Sequence, residues 1–234
     1  MCGRFVLMAS PRKVAEHFDV AETVDFSRRY NIAPSQLILA VIKHPEEFGR
    51  RIRDFRWGLV PFWAKDETIG TRLINGRSET IAQKPAFRKA FKTRRCLVPA
   101  NGFYEWEKGS RPRRPYFIGL KGDALFGMAA VWDEWLTPEN SLLRTCSIVT
   151  TDSNELIKGI HDRMPVIVHP KDYGAWLETK PLAPEEAARI FRPFPGDLMR
   201  IRAVSPKVNQ ATYDSSDCIE SLDDRTFAQG LLEL

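Results

Sequence analysis

The chain opens Met1-Cys2-Gly3-Arg4, and an initiator methionine is normally removed before a small second residue. The mature chain is then expected to begin at Cys2, which puts a thiol and a free α-amine on one carbon framework. An α-amine has a pKa of about 7.7–8.0, so part of it is neutral and nucleophilic at neutral pH. Facing an aldehyde, the amine can form a Schiff base. The thiolate can then close on the imine carbon to give a five-membered thiazolidine. Gly3 lets the backbone bend so that the terminus can project into a cleft. An ordinary second-position cysteine is the plainer alternative, and position alone favours it.

Three other segments gather groups that could serve such chemistry. Ile74-Asn75-Gly76-Arg77-Ser78-Glu79 sets an amide and a guanidinium two residues apart, in what reads as a glycine-containing loop before a helix, suited to a phosphate or a sugar. Asn101-Gly102-Phe103-Tyr104-Glu105-Trp106 places a carboxylate between aromatics on an expected strand. If Glu105 points inward, desolvation raises its pKa into the range useful for proton transfer; alternation alone leaves inward and outward equally open. Ile160-His161-Asp162-Arg163-Met164-Pro165 collects an imidazole, a carboxylate and a guanidinium in a turn before a strand. Of the other histidines, His17 falls in an expected surface helix and His44 in a loop.

These groups need a frame. At 234 residues, 43% apolar and 28% charged, the chain reads as one globular domain with an ample core. The longest apolar runs, residues 36–43 and 124–132, are strand-sized, and no charged-then-apolar leader is present, so a cytoplasmic protein without membrane attachment is expected. Ser10-Pro11 signals a helix running to about residue 19. Strands are expected over 36–43, 51–57, 96–99, 103–107, 116–120, 125–132, 143–151, 166–169 and 198–204, with helices over 85–92, 153–159, 170–178 and 184–191. Short strands joined by Gly, Pro and charged turns, without a βαβ rhythm, predict an α+β fold: a single domain with a mostly antiparallel, barrel-like sheet and peripheral helices. The acidic segment 214–234 reads as a loosely attached tail to a domain over 1–213.

Cys2, Cys96, Cys146 and Cys218 stand far apart with no C-x-x-C pair, so no metal is expected. Cys96 and Cys146 read as reduced, buried thiols. The net charge of +5 is unevenly spread: between Arg50 and Arg95 thirteen Lys or Arg face four acids, a local +9 that leaves the remainder at −4. Arginines outnumber lysines 23 to 12, and Trp57, Phe62 and Trp63 are interleaved with the basic stretch. Arginine forks suit phosphates and exposed rings suit bases, which makes nucleic acid the leading partner. A solvated charged face over core aromatics is the other reading.

The motifs together resemble the SOS-response-associated peptidase (SRAP) family, the abasic-site-shielding proteins. The resemblance runs from Met1 to about Gln210 and rests on Met1-Cys2-Gly3-Arg4-Phe5, Tyr30-Asn31-Ile32-Ala33-Pro34, Trp57-Gly58-Leu59-Val60-Pro61 and Asn75-Gly76-Arg77-Ser78-Glu79-Thr80. It continues in Arg95-Cys96-Leu97-Val98-Pro99, Gly102-Phe103-Tyr104-Glu105-Trp106, Ala129-Ala130-Val131-Trp132, Thr150-Thr151 and His161-Asp162-Arg163-Met164-Pro165. Phe62-Trp63 stands where some relatives carry two tryptophans.

The resemblance implies a thiazolidine crosslink between Cys2 and the ring-opened aldehyde of an abasic site in single-stranded DNA, with no cofactor. It implies that Asn75 holds the crosslinked terminus, that Glu105 moves protons, and that His161 holds the opened sugar. Arg4, Arg77 and Arg163 would contact phosphates, and Pro34 and Trp63 would pack against bases or wedge the strand apart where duplex begins. Associated lyase activity, self-removal of whatever precedes Cys2, replication-fork association and a monomeric state belong to the same expectation. The competing classes are an N-terminal-nucleophile hydrolase, a cysteine peptidase, and a non-catalytic single-strand-binding module.

Overall fold

The computed structural model describes residues 2–43, 49–109 and 113–222. In chain order the first elements are β1 (Phe5–Leu7), α1 (Pro11–Phe18), β2 (Arg29–Ile32), β3 (Leu37–Lys43), β4 (Arg50–Trp57), β5 (Asn75–Arg77), α2 (Arg88–Thr93), β6 (Arg95–Ala100) and β7 (Gly102–Trp106). They are followed by β8 (Pro115–Leu120), β9 (Phe126–Leu136), β10 (Leu142–Asp152), β11 (Arg163–Pro165), β12 (Ile167–Val168), α3 (Tyr173–Leu177), α4 (Pro184–Ile190) and β13 (Met199–Ala203).

β3, β4, β6, β9 and β10 close on themselves. β4 pairs with β3, β3 with β6, β6 with β9 and β9 with β10, all antiparallel, and β10 returns to β4 in parallel. Closure pairs each of these strands on both sides and surrounds an interior filled by apolar side chains. A second, five-stranded sheet in the order β13-β8-β7-β1-β2 lies against the barrel. Alternation along its strands divides two cores. Phe5, Leu7, Phe103 and Ile118 join the barrel core, while Val6, Tyr104 and Phe117 pack with Val204, Val208 and Cys218 on the far face. The α+β, mostly antiparallel, barrel-like architecture expected from the sequence is the one observed.

α1 forms where Ser10-Pro11 indicates. The Ser10 hydroxyl accepts from Lys13 N, Asp19 closes the helix in the left-handed region (φ 53°), and Val14, Ala15 and Phe18 supply its buried face. Elsewhere the local signals were overruled. Residues 153–159 form hydrogen-bonded turns, with Asn154 Oδ1 accepting from Ile157 N at 3.0 Å, because Asn154 is buried and also donates to Phe194 O. The helix expected over 85–92 is only Arg88–Thr93, and the one expected over 170–178 is a 3-10 turn (Pro170–Asp172) leading into α3. β1, β2, β5 and β11, each of four residues or fewer, carry too little alternation to be read from sequence.

The acidic segment is not loose at its start. Asp214 accepts from Tyr30 N and Asn31 N and pairs with Arg29, Cys218 is buried, and Leu222 N donates to Ala203 O at 3.0 Å. The remainder of the acidic segment lies outside the described residues, as does His44.

Gly58 and Gly102 are among the glycines required by close approach. Gly58, at φ 128°, lies so near Gly70 that a Cβ would sit 2.6 Å from its carbonyl oxygen. At Gly102 a Cβ would meet Phe117 Cζ at 2.3 Å and the Ile118 carbonyl at 2.9 Å. Phe117 is fully buried and cannot move aside, so Gly102→Ala is expected to lower unfolding free energy by about 1–3 kcal/mol, read as a reduced denaturant midpoint at unchanged slope.

Candidate functional site

The site lies where β1 and β7 of the smaller sheet meet the end of β10. Phe5 pairs with Phe103, and Tyr104 N donates to Arg4 O at 2.9 Å, so the pairing extends toward Cys2. This holds Cys2 beside β7, fully buried. At the barrel end, Thr150 of β10 is flanked by β5 on one side (Arg77) and β11 on the other (Pro165). Asn75 and Arg77 thus come from one neighbour of β10, and His161 and Arg163 from the other. The segment expected to be a loop, 74–79, begins as the short parallel strand β5 because Ile148, Val149 and Thr150 offer it a backbone ladder.

Asn75 Nδ2 donates to the Cys2 carbonyl at 2.7 Å, and Asn75 Oδ1 is buried with no hydrogen-bond partner among the described residues. Glu105 faces inward and is 3% exposed. Burial pushes its carboxyl up to about 7, against the opposing pull of the positive amino terminus and of Lys108. Burial and the negative charge of Glu105 together push the Cys2 thiol far above its ordinary value, although the Arg4 backbone N–H donates to its sulfur. At neutral pH the thiol is therefore a resting SH, while Glu105 is poised between its two protonation states.

His161 is half-buried. Its Nδ1 accepts from Arg163 N at 3.0 Å, which leaves the ring proton on Nε2. Burial, the positive terminus and Lys108 hold the imidazole below its ordinary pKa, so it is a neutral donor. Lys108 is itself paired with Asp162.

The three arginines differ. Arg77 is exposed and has no ion-pair partner among the described residues. Arg163 is clasped: Nη1 and Nη2 bond Glu79 at 2.8 and 2.9 Å, Nη1 bonds Asp152 at 2.6 Å, and Nη2 reaches Thr150 O at 2.7 Å. Arg4 Nη1 donates to Asn31 Oδ1 at 2.7 Å and to Val208 O at 2.8 Å, with the guanidinium 5.8 Å from the Trp106 ring centre. Glu79 and Asp152 are thus part of the site's frame, and spacing alone could not pair them with Arg163 across 84 and 11 residues.

The aromatics divide as well. Trp57 does not interleave with surface charge; it is fully buried, edge-on to Phe5 at 5.3 Å, with Nε1 donating to Ile74 O. Phe62 and Trp63 are each 49% exposed, and Pro34 is half-buried. The basic stretch is no single face either, since Arg56 pairs with Glu67, Arg94 with Asp133, and Arg95 is buried among main-chain carbonyls of Phe91, Lys92, Trp176, Glu178 and Lys180. Cys96, Cys146 and Cys218 are buried free thiols. Among the described residues no group of His, Cys, Asp and Glu is arranged to hold a metal, and no helix is long and apolar enough to cross a membrane.

A closed barrel backed by a second sheet, with a thiol, a carboxyl, an amide and a neutral imidazole gathered at their junction, defines an α+β protein with a candidate site built around Cys2. The chain belongs to the SOS response associated peptidase (SRAP) family, whose model matches residues 1–211. It is 40% identical to the abasic site processing protein YoqW of Bacillus subtilis (strain 168), over 94% of this chain and 100% of that protein. It is also 32% identical to the abasic site processing protein HMCES of Mus musculus, over 77% of this chain and 60% of the mouse protein. An X-ray structure of a protein from Bacteroides thetaiotaomicron superposes with a TM-score of 0.84 at 26% identity, covering 95% of this chain and 100% of that one.

Proposed function

We propose that this protein processes abasic sites in single-stranded DNA by joining itself to them through Cys2. With nothing preceding Cys2, its α-amine adds to the ring-opened aldehyde and the carbinolamine loses water to give an imine. The thiol then adds its sulfur to the imine carbon as the imine nitrogen takes up a proton, which closes the thiazolidine. The observation that carries this reading is the pairing of a held Cys2 carbonyl with an inward carboxyl near 7 whose charge acts on the Cys2 thiol. Such a carboxyl can take the amine's proton and return one to the departing water. His161 Nε2–H suits the hydroxyl freed when the sugar opens, and Asn75 Oδ1 can accept from the adduct. Strand cleavage by β-elimination from the imine, and self-removal of whatever precedes Cys2, would use the same groups.

The deciding experiment incubates the protein with an oligonucleotide carrying one abasic site and reads a denaturing gel and intact mass. A heat-stable adduct weighing protein plus DNA minus one water supports the reading. A hydrolase or a simple binding module leaves no such species. Every group invoked comes from one chain, so a monomer suffices. Work on exposed single strands would bring the protein to replication forks, in the cytoplasm or nucleoid of a bacterial cell.

Phosphate contact falls chiefly to Arg77, since Arg4 and Arg163 already have partners. With three or four phosphates neutralised, log K against log salt is expected to slope at about −2 to −3 for a single strand. Arg77→Ala should flatten that slope by about 0.7 while leaving an adduct at saturating DNA. A salt-independent affinity measured by fluorescence anisotropy would sink the nucleic-acid reading.

A further inference from the structure

The turn that carries Phe62 and Trp63 is pinned from beneath by side chains belonging to the β9–β10 hairpin. Val60 N donates to Thr145 Oγ1 at 2.8 Å, and Phe62 N donates to Asp133 Oδ2 at 3.0 Å. Trp135 Nε1 donates to Ala64 O at 2.8 Å, and Ala64 N closes the turn on Pro61 O at 2.8 Å. Asp133 is buried, and its Oδ1 pairs with Arg94 and accepts from Glu134 N at 3.0 Å. Above it both rings stand half in solvent, with Lys89 Nζ 3.5 Å from the Phe62 ring centre.

A buried carboxylate is unfavourable unless its oxygens are saturated, and here one partner is a cation while another is the amide of a residue whose ring faces water. An irregular turn with two large exposed rings would otherwise lose those rings to the nearest apolar surface. We propose that Asp133 is a positioning residue that holds the Phe62–Trp63 turn ready to stack on DNA bases, with Trp135 as its second anchor. Ordering the turn in advance lowers the entropic loss on binding, because the rings need no rearrangement to meet a base. Lys89, held over Phe62, adds a positive charge beside the exposed rings. The inference rests on the single-strand reading of the site and adds to it residues that touch neither DNA nor Cys2.

The test compares wild type with Asp133→Asn and with Trp135→Phe. Asparagine keeps the shape but replaces the pairing with Arg94, and phenylalanine keeps a ring but removes the bond to Ala64 O. For each protein, anisotropy titration with a lesion-free single strand is set beside adduct formation with an abasic oligonucleotide and with 2-deoxyribose 5-phosphate, which offers no base. Both variants are expected to raise the half-saturating concentration of either oligonucleotide by about tenfold, the weight of one base stacked on a ring. The adduct rate at saturating DNA and the rate with the sugar phosphate should stay at wild-type values. Unchanged half-saturation in both variants would overturn the proposal. So would an equal loss with the sugar phosphate in both, which would mark general damage rather than lost stacking. Wild-type protein that binds strands yet forms no adduct would overturn the covalent chemistry, while a tenfold anisotropy shift in the variants would still uphold the role of Asp133.

Discussion

Cys2→Ala is expected to abolish the heat-stable adduct while leaving a Schiff base that borohydride traps. The alanine variant keeps the α-amine, so the first condensation proceeds, but no sulfur is present to close the ring. The unprotected imine is then free to revert or to eliminate the 3′ phosphate, so strand cleavage should rise relative to wild type. Cys2→Ser should behave alike, because a hydroxyl is a much poorer nucleophile than a thiolate. The electrostatics also set the order of events. On the proposed mechanism, with its thiol pushed up by burial and by Glu105, Cys2 would attack only after the amine has made the imine and a nearby base has taken the SH proton. A variant with a residue retained before Cys2 should give no adduct although its thiol survives. A heat-stable adduct from Cys2→Ala without reductant would show that another nucleophile does the chemistry.

Glu105→Gln is expected to slow crosslinking by roughly 10²–10⁴-fold, the usual weight of a positioned acid–base group. In wild type the rate should climb as pH rises through about 7, where Glu105 ionises and can accept the amine's proton. The glutamine variant should lose that inflection and keep the one belonging to the α-amine. Stability should move the opposite way. The carboxyl is raised in the folded state from an ordinary 4.5 to about 7, so between those values the unfolded chain releases its proton first and unfolding becomes easier as pH rises. The penalty is absent below about 4.5 and complete above about 7. At pH 8 Glu105→Gln should therefore be the more stable protein, by up to ~3 kcal/mol, in denaturant titrations. Equal rates for the two proteins, or a glutamine variant less stable at pH 8 than at pH 5 by as much as wild type, would remove Glu105 from this role.

The fold was legible wherever one segment's pattern sufficed. Ser10-Pro11 with Val14, Ala15 and Phe18 names α1 unaided, and the long strands β3, β4, β9 and β10 show themselves by apolar content and length. β5 and β11 were not legible, because each is three residues whose only reason to be extended is the end of β10 that runs past its pairing with β4 and β9. Trp57 and Trp63 show the same limit. Six residues apart in one basic stretch, one fills the barrel core and the other stands in solvent, and only the closure of β4 onto β10 separates them.

Residue types and order determined by themselves the candidate chemistry: a thiol and an amine at one end, with a carboxyl, an amide and an imidazole far along the chain. Tertiary structure decided which of these could act together and in what state. Whether Glu105 is a solvated surface acid or a proton carrier near 7 depends on which face of β7 the smaller sheet turns to the barrel, a choice that alternation leaves even. Whether an arginine is left open to an anion or serves the frame depends on the carboxylates the fold brings to it, and Glu79 and Asp152 reach Arg163 while none among the described residues reaches Arg77. The reason is physical: pKa and charge availability are set by desolvation and neighbours within a few ångströms, and those neighbours come from strands distant in sequence.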